Sequence, residues 1–100
     1  MNPRVFLSVD PRTLRLPPSR ATGADPQKLA RQIAKHGTSI QGMPTLEVSR
    51  GTDGELMINN GVTRATRVAK LLPGVLVTVE VIDDLPMPVG KYPSIGDTLP

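Results

Sequence analysis

The chain has 100 residues and a net charge of +3, which is enough for one domain and permits an anionic partner. It contains no cysteine and only one histidine, so thiol nucleophiles, disulfides, cysteine-based zinc sites and multi-histidine metal sites are excluded. Hydrophobic residues make up 38% and aromatic residues 2%, which predicts a modest aliphatic core that self-association would help to stabilise.

The first third of the chain predicts a strand, a basic loop and a helix. Arg4–Val9 is rich in strand-forming residues. The loop Pro11–Gly23 carries several arginines, and loops of this length in small domains tend to be functional or mobile. A helix is predicted over Gln27–His36, because Asp25 is a good N-cap, a proline follows it, and a glycine ends the segment.

The middle of the chain predicts a hairpin followed by a second helix. Thr45–Arg50 alternates between apolar and polar residues, and Glu55–Ile58 returns after the turn Gly51–Gly54. A turn is predicted at Asn59–Gly61. The helix that follows is predicted over about Val62–Leu72, where apolar residues recur every three or four positions.

The last third predicts a strand and a proline-rich tail. Val75–Ile82 is almost continuously β-branched or apolar, which indicates a central strand. The tail, residues 87–100, is expected either to be extended or disordered, or to lie along the domain, held by Tyr92, Ile95 and Leu99. The predicted fold class is therefore α+β, with a small mixed sheet of about four strands and two main helices in a domain of residues 1–86.

The start of the second predicted helix is the candidate site. The first amides of a helix have no intrahelical partner, and the macrodipole makes that end attractive to anions. Gly61 allows a positive φ or a close backbone approach, and Arg64 and Arg67 would each present a guanidinium fork to a phosphate. The candidate phosphate-binding residues are Asn60, Gly61, Thr63, Arg64, Arg67 and, from the basic loop, Arg20.

Other interpretations stay open for these residues. The helix could be an ordinary surface helix with a basic polar face, in which Arg64 pairs with Asp53 or Glu55. His36 could act as a general base but suits a helix-capping role better. The pair Asp83-Asp84 could bind a divalent metal, although an acidic strand end is more often only solvated, and no metal site is assigned.

The order of elements and the turn Asn60–Arg64 together resemble the ParB N-terminal/sulfiredoxin-like superfamily. In that family a strand, a basic loop, a helix and a proline-initiated strand, here Met43–Val48, precede a Gly-x-x-Arg turn at a helix start. The final strand, here within Val75–Ile82, completes the unit, so the resemblance covers about residues 5–84. It implies a ParB/sulfiredoxin-like fold that binds a nucleotide or a nucleic-acid backbone. Stand-alone modules of this kind resemble domains proposed as nucleases in bacterial toxin systems.

The chain departs from the family at the signature itself. Sulfiredoxins have Gly-Cys-His-Arg and chromosome-partitioning ParB proteins have Gly-Glu-Arg-Arg, where this chain has Gly61-Val62-Thr63-Arg64. With Val62 in place of the cysteine or the acid, we expect no sulfiredoxin activity and at most weak triphosphate hydrolysis. If the chain does cleave phosphoryl bonds, Arg64 would be the catalytic residue that stabilises charge on the phosphoryl oxygens.

Two functional hypotheses follow. The first is a phosphate-binding, DNA- or nucleotide-binding module with or without nuclease activity, whose cofactor would be a nucleotide or a divalent metal. The second is a protein-interaction module in which the tail and the proline-rich loop dock a partner. No apolar run spans a membrane and no signal peptide opens the chain, so we expect a cytoplasmic protein; an exported effector domain would also fit the lack of cysteine.

Overall fold

In the computed structural model, which describes residues 4–99, four strands form one mixed sheet in the order β1-β4-β2-β3. The inner strand β4 pairs antiparallel with β1 and parallel with β2, and β2 pairs antiparallel with β3. The predicted central position of the last strand is therefore confirmed. The strands are β1 (Val5–Val9), β2 (Leu46–Arg50), β3 (Leu56–Asn60) and β4 (Val77–Asp84).

Three helices accompany the sheet: α1 (Pro26–His36), α2 (Val62–Leu71) and α3 (Ile95–Thr98). Asp25 caps α1 as predicted, because its carboxylate accepts hydrogen bonds from the second and third amides of the helix. The helix α2 contacts α1, the turn that follows β1, and α3. The predicted α+β class, with about four strands and two main helices, is thus confirmed.

The core lies between the sheet and α2, with contributions from segments outside the regular elements. Val48, Ile58 and Val79 from the sheet are fully buried against Ala65 and Val68 of α2. The apolar stripe predicted for this helix therefore faces the core. No helix in the described part of the chain is both long enough and apolar enough to cross a membrane.

The loop between β1 and α1 is more ordered than its composition predicts. It contains two short 3-10 turns, and its residues Leu14 and Leu16 are fully buried. Between them the Arg15 amide donates to the Leu56 carbonyl at 2.8 Å, and its carbonyl accepts from the Ile58 amide at 2.9 Å. The loop thus covers the outer edge of β3, which would otherwise expose unpaired backbone groups.

The two asparagines before the second helix belong to β3 rather than to a turn. Asn60 pairs with Glu47, and an irregularity in the register beside Glu47 leaves Asn59 without a directly paired residue. The Asn59 side chain instead donates to the Ser49 hydroxyl at 2.7 Å. The reversal into α2 is therefore made at Gly61 alone, which has a φ of 103°.

The C-terminal tail lies along the domain, as the second of the two sequence-based alternatives supposed. Val89 and Ile95 are fully buried, and Ile95 belongs to the core. Ser94 and Asp97 form a reciprocal capping box at the start of α3. Residues 1–3, on which the expectation about a signal peptide partly depends, and Pro100 at the end of the predicted tail lie outside the described residues.

Candidate anion-binding site

The N-terminus of α2 has free backbone donors. The first hydrogen bond within this helix runs from the Ala65 amide to the Gly61 carbonyl at 2.9 Å, and no side chain caps the helix start. The amides of Val62, Thr63 and Arg64 therefore point out of the helix without an intrahelical partner. Since α2 has 10 residues, its dipole adds a partial positive charge at the same place.

Gly61 and Arg64 are packed together at this helix start. A Cβ atom built on Gly61 would lie 2.7 Å from Nη2 of Arg64 and would overlap Cδ2 of Leu46. The guanidinium of Arg64 thus folds back over the helix start, next to the free amides. The glycine is needed for its positive φ and also for the space that Arg64 and Leu46 occupy.

A cleft of about 350 Å³ opens at this point, which is within the range of ligand sites. We call it the outer cleft. Five of the six residues that the sequence nominated for phosphate binding line it, and Arg67 is the exception. The lining residues are Pro17, Ser19, Arg20, Gln32, Asn59, Asn60, Gly61, Val62, Thr63 and Arg64.

A second cavity of about 270 Å³ lies beside the first, between the end of α1 and the middle of α2. We call it the inner cavity. Arg64 and Gln32 line both spaces, so the two adjoin at these side chains. The residues that line the inner cavity are Gln32, His36, Ser39, Gln41, Gly42, Met43, Pro44, Arg64 and Arg67.

Arg67 lies in the inner cavity because of its position on α2. It is only 2% exposed, its Nη1 donates to the Gly37 carbonyl at 2.6 Å, and its Nη2 lies 3.8 Å from the Met43 sulfur. Sequence reasoning placed Arg64 and Arg67 at one phosphate because residues three apart are neighbours on a helix. However, residues three positions apart do not point in the same direction from a helix. Arg67 points toward the end of α1, so of these two arginines only Arg64 reaches the outer cleft.

Two other polar residues near the helix start are engaged within the protein. The Asn60 side-chain amide donates to the Glu47 carboxylate at 3.3 Å, so its donor is directed along the sheet. Thr66 on α2 is buried, and its hydroxyl donates to the Val62 carbonyl at 2.7 Å. Thr63 and Ser19 line the outer cleft, and their hydroxyls are available to a ligand there.

Some arginines of the described chain pair with carboxylates, whereas the two on α2 do not. Arg4, Arg15 and Arg50 pair with carboxylates of Glu80, Glu55 and Asp84 at 2.7–3.0 Å. Within the described residues, no such pair involves Arg64 or Arg67, and the Nε atoms of both are buried without a hydrogen-bond partner. The salt bridge of Arg64 to Asp53 or Glu55 that the sequence allowed is therefore not formed.

Several of the remaining carboxylates accept hydrogen bonds from backbone amides, among them Asp25 and Asp53. Burial raises the pKa of Asp53, but hydrogen bonds from the backbone amides of Gly90, Val89 and Glu55 outweigh this effect and leave its pKa below the ordinary value. Hydrogen bonds from backbone amides at the start of α1, led by that of Lys28, likewise lower the pKa of Asp25. None of the residues that line the outer cleft or the inner cavity is acidic.

The other sequence candidates lie elsewhere. His36 lines the inner cavity at the end of α1, and Asp83 and Asp84 lie at the end of β4, where Asp84 pairs with Arg50. Over residues 4–99, no group of three or more His, Asp or Glu side chains is arranged to hold a metal ion.

Sequence reasoning missed Gln32, which lines both spaces. It lies on α1 four positions before His36. This spacing places the two side chains one above the other. However, only the packing of α1 against α2 brings that face to the candidate site.

Comparison with protein-family models, with curated proteins and with solved structures gave no match to this chain.

Proposed function

We propose that the protein binds a phosphate group, of a nucleotide or of a nucleic-acid backbone, in the outer cleft. The observation that carries this proposal is the Arg64 guanidinium, whose buried Nε has no partner, lying over the free amides of a helix start in a cleft without carboxylates. No carboxylate of the described chain pairs with Arg64, so an anion in the cleft would be its counter-ion.

The donors around the cleft suit a tetrahedral oxyanion. Arg64 and Arg20 are the cations, Thr63 contributes a hydroxyl, and the first amides of α2 supply backbone donors. Guanidinium forks and helix N-termini both bind phosphate in many proteins. The proposed ParB-like relationship agrees with this use of the Gly-x-x-Arg turn.

The surface next to the cleft favours a ligand with more than one phosphate. Lys28, Arg31 and Lys35 project from α1 and line a groove that shares Gln32 and Thr63 with the outer cleft. A nucleic-acid backbone bound at Arg64 would continue along these cations, since electrostatic contacts to successive phosphates supply most non-specific affinity.

The proposed activity is binding rather than cleavage. The general base in such reactions is most often an imidazole or a carboxylate within reach of the attacking group. Val62 occupies the place of the acid found in ParB proteins, and the outer-cleft lining contains neither type of side chain. If cleavage does occur, Arg64 would act by stabilising negative charge on the phosphoryl oxygens.

The test is a titration of the ¹⁵N-labelled chain with inorganic phosphate, ATP and a short DNA and RNA oligonucleotide, followed by the NMR shifts of the Gly61–Arg64 amides. We expect saturable shifts at these amides. Arg64→Ala should weaken binding by about 1.5–3 kcal/mol, the usual contribution of a hydrogen bond to a charged group.

The matched control is Arg50→Ala, which removes the same charge from the opposite end of the β2–β3 pair. Equal losses in the two variants would indicate diffuse electrostatic attraction instead of a site. If none of the phosphate compounds shifts the Gly61–Arg64 amides, the proposal is wrong and the protein-interaction hypothesis takes its place.

A further inference from the structure

The inner cavity contains a buried positive charge that the protein itself does not neutralise. Arg67 is 2% exposed, and no carboxylate of the described chain pairs with it. A guanidinium removed from water without a counter-ion is unfavourable, which is why buried arginines are nearly always paired. Arg64 lines the same cavity and adds a second positive charge.

The end of α1 compensates for only part of this charge. The Gly37 carbonyl, which accepts from Nη1 of Arg67, lies at the C-terminus of the helix, where the dipole amounts to roughly half a negative elementary charge. The Met43 sulfur near Nη2 is a weak, neutral acceptor. The Nε atoms of Arg67 and Arg64 are left without any acceptor in the described chain.

We propose that the inner cavity is a second anion site that takes a small oxyanion, a carboxylate or a phosphate group, on Arg67 and Arg64. Its volume of about 270 Å³ accommodates such a group, and Gln32, Ser39 and Gln41 supply further polar side chains in its wall. The site is separate from the outer cleft, since Arg67 lines only the inner cavity and Arg20 only the outer cleft.

This division allows each site to be tested without the other. The ¹⁵N-labelled full chain is titrated with sodium phosphate and, separately, with sodium acetate, at constant ionic strength maintained with sodium chloride. The amides of Ser39, Gln41 and Gly42 report on the inner cavity, and those of Gly61 and Thr63 on the outer cleft. We expect saturable shifts of the inner set with at least one of the two anions, and the anion that binds identifies the chemistry.

The variants should separate the two sites. Arg67→Lys retains the charge but loses the guanidinium group, and should weaken binding reported by the Ser39, Gln41 and Gly42 amides roughly tenfold or more, while the Gly61 and Thr63 amides respond as before. Arg20→Ala should weaken only the outer set. Gln41→Glu places a carboxylate in the wall at an exposed position, and should weaken the inner site even if Arg67→Lys fails to fold.

The proposal is overturned if neither anion gives saturable shifts at Ser39, Gln41 and Gly42. It is also overturned if those shifts persist unchanged in Gln41→Glu and in a folded Arg67→Lys. Arg67 would then serve only to cap the end of α1. Either result leaves the outer cleft untouched, because the outer amides are read independently in the same spectra.

Discussion

At the scale of single residues, the outer cleft and the inner cavity depend on two arginines that adopt their positions for different reasons. Arg64 lies over the helix start because Gly61 has no Cβ atom to block it. Arg67 is held in the interior by the carbonyl at the end of α1. Two arginines three positions apart therefore serve two different spaces.

Gly61→Ala is expected to destabilise the protein and to displace Arg64. A non-glycine residue with positive φ costs about 1–3 kcal/mol, and here the added methyl group also meets Arg64 and Leu46. Urea unfolding measures the stability, and phosphate titration measures the effect on the outer cleft.

Gly54→Ala is the matched control for this change. Gly54 also has a positive φ, of 80°, but no atom lies within 4 Å of a Cβ built there. The control should show the conformational cost alone, with unchanged phosphate binding. Equal losses of stability in the two variants, with binding intact in both, would show that the packing of Gly61 against Arg64 does not matter.

At the scale of elements, the C-terminal segment is part of the domain rather than an appendage. The fully buried Val89 and Ile95 anchor it, and the Asp53 carboxylate accepts hydrogen bonds from the amides of Val89 and Gly90 at 3.3 and 2.8 Å. The apolar contact of Ile95 and the hydrogen bonds of Asp53 can therefore be tested separately.

Ile95→Ala is expected to lower the free energy of unfolding by about 2–5 kcal/mol, because it leaves a cavity among buried neighbours. Met87→Ala, in the same segment but 45% exposed, should change it by less than about 0.5 kcal/mol. Chemical denaturation of both variants measures this difference. A small effect of Ile95→Ala would mean that the segment contributes little to the core.

The attachment through Asp53 should depend on pH. Its pKa is lower in the folded protein than the ordinary value of 3.8, so its contribution to stability is fully present above that value. It is lost as the pH falls through the lower folded pKa. We expect the Gly90 amide shift to titrate with a midpoint below 3.8.

Asp53→Asn should remove this titration and reduce the loss of stability between pH 5 and pH 2. Urea unfolding at several pH values checks the second part. A Gly90 titration that survives in Asp53→Asn would assign the effect to another carboxyl group.

At the scale of the whole molecule, positive charge is concentrated around one end of α2. Three acidic residues pair with arginines on other parts of the surface, and no acidic residue lines the outer cleft or the neighbouring groove, which therefore keep their cations. A net charge of only +3 thus still produces a locally basic surface.

If the ligand is a nucleic acid, its affinity should fall steeply with salt. Three or four phosphate contacts from the cleft and the groove would give a log–log slope of roughly −3 to −4 on duplex DNA, at about 0.9 per contact. Fluorescence anisotropy at several salt concentrations measures the slope. Replacing Lys28 and Arg31 by alanine should remove about two contacts and so reduce the magnitude of the slope by about 1.8. A slope near zero for the unchanged protein would favour a small ligand.

The sequence by itself determined the features that depend on local backbone chemistry. The N-cap of α1 at Asp25, the start of α2 after Gly61 and the extended character of β4 were predicted correctly, because each follows from a few adjacent residues. They also placed four of the six nominated residues, Asn60, Gly61, Thr63 and Arg64, in one cleft, because these four lie together at the start of α2.

Only the tertiary structure decided which side chains face inward together. The burial of Arg67 depends on where α1 ends relative to α2, and the order in the C-terminal segment depends on a site for Ile95 in the core. Neither can be derived from local sequence, because the free energy of burying a group is set by neighbours that are distant in the chain.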